Sequence, residues 1–259
     1  MKDITNNTVA RRKKILQWLE EKSQILVPEL SKSFGVSEVT IRNDLDVLEK
    51  KNMLIKVRGG AIKIESNVSV DQNLSEKSRL HYREKSLIGQ KAAGLIKESE
   101  TILLDSGTTT MHVADNLSQF SEITLLTNAL NIANHVGSFP GTNVIILGGY
   151  LRKKSYSLIG PLAENALKNF HVDKLFLGVD GFDTQNGIYT PNVEEAHLNQ
   201  LMIEVSQEVI VVADSSKFNN RSFALISSLE KIDIVVSDKG IKKEDKQRLI
   251  KAGIEVLVV

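Results

Sequence analysis

The sequence predicts an α/β protein: a small α-helical domain followed by a larger, mainly parallel α/β domain. Two observations carry this expectation. The first sixty residues read as three short helical patterns that run into an alternating strand–turn–strand stretch. After residue 84, seven apolar and mostly β-branched runs recur: TILLD, EITLLTN, NVIILGG, KLFLGVD, EVIVVAD, DIVVSD and IEVLVV. Many are separated by helical or polar stretches, and strands apolar on both faces belong to a sheet covered on both sides.

Composition narrows the function classes. A chain of 259 residues holds one large domain, or a small one and a medium one. Its 41% hydrophobic and 25% charged content is ordinary for a soluble protein. Cysteine is absent, which excludes disulfides and thiolate metal sites and suits a reducing compartment. No secretory leader is read in the first thirty residues, and no run approaches the ~20 apolar residues of a membrane span. A cytoplasmic protein without a membrane partner is expected. The net charge of +1 hides an asymmetry: residues 1–60 carry a net +4 and the remainder a net −3. A basic segment on a mildly acidic body suggests that the N-terminal part meets a polyanion.

The N-terminal elements follow in order. Ile15, Leu16 and Leu19 recur at helical spacing behind Arg11, Arg12, Lys13 and Lys14. Pro28 suits the first turn of a second helix, PELSKSF, and Gly35 can stop it. Ser37 is an N-cap candidate for a third helix, EVTIRNDLDVLEKK, whose Ile41, Leu45 and Leu48 share one stripe. A short helix, a glycine turn and a helix with polar residues at its start form a helix-turn-helix, expected at about 25–44. Its DNA-reading candidates are Ser37, Glu38, Thr40, Arg42 and Asn43; Arg and Asn can make bidentate contacts to guanine and adenine edges. LIKVRGGAIKI then reads as a hairpin with Arg58 and Gly59 at its tip, the wing of a winged variant. Histidines 81, 112, 135, 171 and 197 lack metal-ligand spacing, and Trp18 reads as packing.

Residues 1–62 are expected to form the DNA-binding domain, 63–83 a polar linker, and 84–259 the larger domain, opened by a helix carrying Ile88, Ala92, Leu95 and Ile96. Asp105, Asn128, Gly148-Gly149, Asp180-Gly181 and Asp214 each end an apolar run. In an open parallel sheet that edge binds ligands. The loop LLDSGTTT fits there: Gly107 permits close approach, while Ser106, Thr108, Thr109 and Thr110 offer hydroxyls to an anion. It lacks the spacing and lysine of a nucleoside-triphosphate loop, so a smaller phosphorylated metabolite is expected, with Lys217 as a possible point charge.

GVSEVTIRNDLDVLEKKNMLIKVRGGA closely resembles the N-terminal domain of the deoxyribose-operon repressor (DeoR) family of transcription regulators. LLDSGTTT, LLTNALNIAN, VIILGGYLR, LFLGVDGFD and VVADSSKF follow in that family's order. Arg42-Asn43 departs from the family's usual pair of arginines, which puts a different base preference in play at Asn43. The C-terminal half resembles the sugar-phosphate isomerase fold of ribose-5-phosphate isomerases. VDGFD aligns Asp180 and Asp183 with two carboxylates of those enzymes, and Glu194 or Glu195 lies near their catalytic glutamate.

Isomerisation needs a base and a group that stabilises the enediolate. Those isomerases carry a lysine between the second aspartate and the glutamate, whereas residues 183–195 contain neither lysine nor arginine. A sensor is therefore expected, with no catalytic residues, no cofactor and no metal. The chain reads as a repressor of a sugar-catabolism operon, relieved by a phosphorylated sugar. LRKKSYSLIG looks like the amino-sugar operon subgroup. The effector site drawn from these stretches comprises Asp105 to Thr110, Thr127, Asn128, Gly148, Gly149, Arg152, Asp180, Glu194 and Lys217. The expected partners are operator double-stranded DNA, the sugar phosphate, and further copies in a homodimer or homotetramer. The alternatives are an isomerase or deaminase with a regulatory head, or a helix-turn-helix used only for protein contacts.

Overall fold

The computed structural model describes residues 8–22, 24–50, 53–57, 59–62 and 71–259. The chain divides into two compact units, Met1–Asn67 and Val68–Val259.

The smaller unit contains α1 (Thr8–Lys22), β1 (Gln24–Leu26), α2 (Val27–Phe34), α3 (Glu38–Lys50), β2 (Ile55–Val57) and β3 (Gly60–Ile62). Ile15 and Leu19 from α1, Leu30 and Phe34 from α2, and Ile41, Leu45 and Leu48 from α3 close one core. Gly35, at φ 64°, ends α2 in the left-handed conformation that glycine adopts without strain. The hairpin β2–β3 is antiparallel, and β1 adds a third strand to β3. That third strand is too short to leave an alternating signature. A Cβ at Gly60 would meet the carbonyl oxygen of Ile25 at 2.1 Å, so only glycine lets β1 lie this close.

The larger unit opens with α4 (Leu74–Lys77), α5 (Tyr82–Ala93), β4 (Thr101–Leu104), α6 (Thr108–Ala114), β5 (Ile123–Thr127), α7 (Leu130–Val136) and β6 (Thr142–Ile146). It continues with β7 (Tyr150–Arg152), β8 (Ser157–Ile159), α8 (Pro161–Leu167), β9 (Val172–Gly178), β10 (Gly181–Asp183), β11 (Gly187–Thr190) and α9 (Val193–Glu204). The last elements are β12 (Ser206–Val212), β13 (Ala224–Ser227), β14 (Ile234–Ser237), α10 (Lys243–Lys251) and β15 (Glu255–Val258).

The seven apolar runs are the seven strands of one parallel sheet, ordered β15-β14-β12-β9-β4-β5-β6. Alternate residues serve opposite faces. Leu103, Leu175, Leu177 and Val211 pack against α8, α9 and α10; Ile102, Leu104, Phe176 and Ile210 pack against α5, α6 and α7. Chain order runs outward from β4 to β6, then restarts at β9 on the other side of β4. The reversal between β4 and β9 is a topological switch point, where the connecting loops part and leave a crevice.

The expected linker differs from what is observed. Residues 71–83 pack on the larger unit: Leu74 donates its N–H to Lys154 O at 2.8 Å and Lys77 Nζ reaches Asp180 Oδ1 at 2.6 Å. No residue of α4 is buried, so this strap is held by polar contacts that no apolar periodicity announces.

Candidate functional site

On the smaller unit, Ser37 Oγ accepts the N–H of Thr40 at 3.1 Å, capping α3. Val39, Arg42 and Asn43 are exposed and spaced i, i+3, i+4, so one face of α3 presents all three. Val39 is absent from the sequence-based candidates, although its apolar surface suits a thymine methyl group. Arg42 NH2 is paired with Glu38 Oε2 at 2.5 Å. Gly59 sits at φ 85° beside the wing's turn; Arg58 lies outside the described residues. The basic lead-in is partly spent internally: Arg11 Nε meets Asp44 Oδ2 at 2.6 Å and Arg12 Nε meets Oδ1 at 2.8 Å, with Asp44 buried.

In the larger unit a cleft opens at the switch point. Asp105 leaves the end of β4, and its N–H bonds to Phe176 O of β9 at 3.2 Å. Asp180 lies two residues beyond β9. Ser106, Gly107, Thr108 and Thr109 form one wall with Asp105; Arg152, Asp180 and Lys217 contribute from other segments. The loop is fixed from behind, because α5 and α6 touch so closely that a Cβ at Gly89 would meet His112 O at 2.4 Å. Thr110 is fully buried and donates its hydroxyl to Gly107 O at 3.1 Å, bracing the loop.

Other expected residues do not line the cleft. Thr127 is fully buried and its hydroxyl bridges Leu104 O at 2.7 Å and Ala129 N–H at 3.0 Å, tying β4 to β5. Asn128 is buried, and among the described residues neither of its side-chain polar atoms has a hydrogen-bond partner. Gly148 and Gly149, at φ 73° and 115°, carry the turn from β6 into β7. Of the two glutamates, Glu195 faces the cleft while Glu194 is exposed. Asn192 caps α9 by accepting Glu195 N–H at 2.9 Å, and the turn this starts points Glu195 inward.

The electrostatics favour an anion. Lys77, Arg152, Lys154 and Lys217 line the cleft against Asp105, Asp180 and Glu195. Burial, reinforced by the charge of Glu195, pushes the Asp105 carboxyl well above the ordinary range. Burial alone would raise Asp180 too, but Lys77 and Lys217 outweigh it and hold that carboxyl below its ordinary value. Glu195 Oε1 accepts from Ser155 Oγ at 2.6 Å, Ser157 Oγ at 2.7 Å and Arg152 NH1 at 3.2 Å. With its amide nitrogen turned toward two acceptors, Asn199 donates to Asp105 Oδ1 at 3.3 Å and Glu195 O at 3.2 Å. The cations of the cleft lie beside hydroxyls and carboxyls that suit a polyol.

Two lysines reach Asp180 from outside residues 183–195. Lys217 Nζ stands 3.7 Å from Asp180 Oδ1, and Lys77 stands closer still. Lys77 comes from the strap, outside every motif the sequence offered, whereas Lys217 follows β12 in DSSKF and is among the expected residues. Asn199, one helical turn beyond Glu195, had a legible signal; Lys77 had none. Asp183, by contrast, is engaged elsewhere: it accepts Gln185 N–H at 2.8 Å and Arg221 Nε at 2.5 Å.

Residues 11–67 match the DeoR-like helix-turn-helix domain, and residues 80–239 match the DeoR C terminal sensor domain. A putative aga operon transcriptional repressor of Escherichia coli is 40% identical over 97% of this chain and 94% of its own. The regulator GolR of Listeria innocua is 34% identical over 96% and 97%. The repressor GlcR of Bacillus subtilis is 32% identical over 94% and 93%. Ribose 5-phosphate isomerase A of Neisseria gonorrhoeae superposes on 53% of the chain at a TM-score of 0.40 with 14% identity, which adds nothing to what the sheet order itself shows.

Proposed function

Because the chain belongs to the DeoR family of helix-turn-helix transcription regulators, we propose that it represses a sugar operon until a phosphorylated sugar occupies the cleft at the β4–β9 switch point. It is a DNA-binding regulator and not an enzyme.

The observation that carries the phosphate is the gathering of four cations, Lys77, Arg152, Lys154 and Lys217, in one cleft beside the hydroxyls of Ser106, Thr108 and Thr109. Thr108, Thr109 and Ser106 supply hydroxyls to the phosphate; Asp105, Asp180 and Asn199 meet sugar hydroxyls. Thr110 braces this wall through Gly107 O, and Thr127 ties the end of β4 to β5. An amino-sugar phosphate is the favoured effector class, from LRKKSYSLIG and from the likeness to an aga operon repressor. On DNA, Arg42 exchanges Glu38 for a base edge, Asn43 reads beside it, and Ser37, Thr40, Arg58 and Gly59 meet backbone. Glu38 holds Arg42 in the free protein. Paired heads on a palindromic operator call for a homodimer or homotetramer. Among the described residues no helix is long and apolar enough to cross a membrane, and we place the regulator in the cytoplasm.

A thermal-shift screen of hexose, pentose and amino-sugar phosphates against the same sugars without phosphate tests the reading. Phosphorylated members are expected to stabilise; a ligand at 100 times its Kd adds roughly 2.7 kcal/mol. Stabilisation by free sugars alone would overturn the phosphate assignment, and turnover abolished by Asp180→Asn would restore the enzyme alternative.

A further inference from the structure

The strap meets the cleft through charges rather than apolar packing. Asp71 pairs its Oδ2 with Arg152 NH2, and Lys154 Nζ lies 3.4 Å from the same oxygen. Lys154 Nζ also donates to Asp71 O at 3.2 Å. Both cations line the cleft. The Asp71 and Arg152 side chains are only 17% and 12% exposed, so this contact is shielded more than a surface pair. Three residues on, the Leu74 N–H bonds to Lys154 O, and at the strap's far end Lys77 sits on Asp180. Lys85 fastens the end of the strap to α5: its Nζ donates to Lys77 O at 2.7 Å, and burial pushes its amine down to about 8, against the opposing charge of Asp214.

A carboxylate on Arg152 and Lys154 is the contact a ligand's anionic group would make there. We propose that Asp71 is an intramolecular occupant of this cation pair, which an anionic ligand must displace to bind. The proposal rests on the reading of the cleft as an anion site. Ligand and strap compete for the same cations, and whatever favours the released strap favours the ligand by the same factor.

The test titrates inorganic phosphate calorimetrically into the full-length chain and into Asp71→Asn, which removes the charge and keeps the shape. Phosphate is expected to bind Asp71→Asn about tenfold more tightly, within the usual range of coupling factors. Asp71→Glu, which keeps the charge, is expected to stay near the parent. Unchanged or weaker binding in Asp71→Asn overturns the proposal, because a strap that merely supports the site would weaken it. An Asp71→Glu variant as tight as Asp71→Asn also overturns it, by assigning the effect to shape. If phosphate binds neither chain, the anion reading of the cleft falls with it; if it binds both equally, only the role of Asp71 falls.

Discussion

In each unit a carboxylate lies between two cations, Asp44 in one and Asp180 in the other, and these two triads do different work. In the DNA-binding unit Asp44 lies between Arg11 and Arg12, with side-chain exposures of 2%, 5% and 28%. In the larger unit Asp180 lies between Lys77 and Lys217, at 24%, 19% and 22%. The buried triad uses guanidinium groups held at 2.6 and 2.8 Å and locks α1 to α3. The open one uses flexible ammonium groups on a cleft wall, where a ligand can take either partner. Burial, not charge count, separates a structural ion pair from one available to bind.

The same substitution in both triads should break this symmetry most clearly. Asp44→Asn removes the buried carboxylate that holds both Arg11 and Arg12 and is expected to cost about 3–5 kcal/mol. Trp18, the protein's only tryptophan, packs its ring 5.4 Å from Phe34, so urea unfolding followed by tryptophan fluorescence reports on this unit. A loss well under 1 kcal/mol would mean that the triad is not a lock.

Arg42→Ala comes next: a loss of about 1–3 kcal/mol in operator affinity, measured by anisotropy, with stability unchanged because its pair with Glu38 is exposed. Unaltered affinity would remove Arg42 from base reading.

Asp180→Asn is expected to lower stability by no more than about 1 kcal/mol, since the open triad stays in contact with solvent. A loss matching that of Asp44→Asn would erase the contrast.

Asp105 gives an effect that depends on pH. Its carboxyl is raised in the fold, so above its ordinary value of about 3.9 the folded state holds more protons than the unfolded one. Its contribution to stability therefore falls as pH rises toward the folded value. Asp105→Asn removes that slope. Its advantage in Tm over the parent should be smallest near the ordinary carboxylate value and grow as pH rises above it; an advantage independent of pH would contradict the shift.

Legibility in the sequence followed the range of the interactions. The α1–α3 core, the Gly35 stop and the Ser37 cap are local and periodic, and all were readable. So were the seven sheet strands, because burial on both faces leaves continuous apolar runs. Asp105, Ser106, Thr108 and Thr109 were readable because a parallel sheet gathers its strand ends on one edge. What sequence could not supply was lateral placement. Thr127 and Asn128 end a strand like Asp105 does, but β5 lies outside the switch point, and the sheet order is a long-range fact. The strap was taken for linker because it is polar and aperiodic, although its polar groups are what engage Arg152 and Asp180. Glu195, rather than Glu194, was decided by the phase of α9, which Asn192 sets.

The most direct test of the account is release of DNA. The full-length chain is held on an operator fragment selected in vitro, and anisotropy is followed while sugar phosphates and the matching free sugars are added. The account predicts that a phosphorylated sugar lowers operator affinity while its unphosphorylated partner does not. Equal release by the free sugar, or operator affinity indifferent to every phosphorylated sugar that binds the protein, would contradict it.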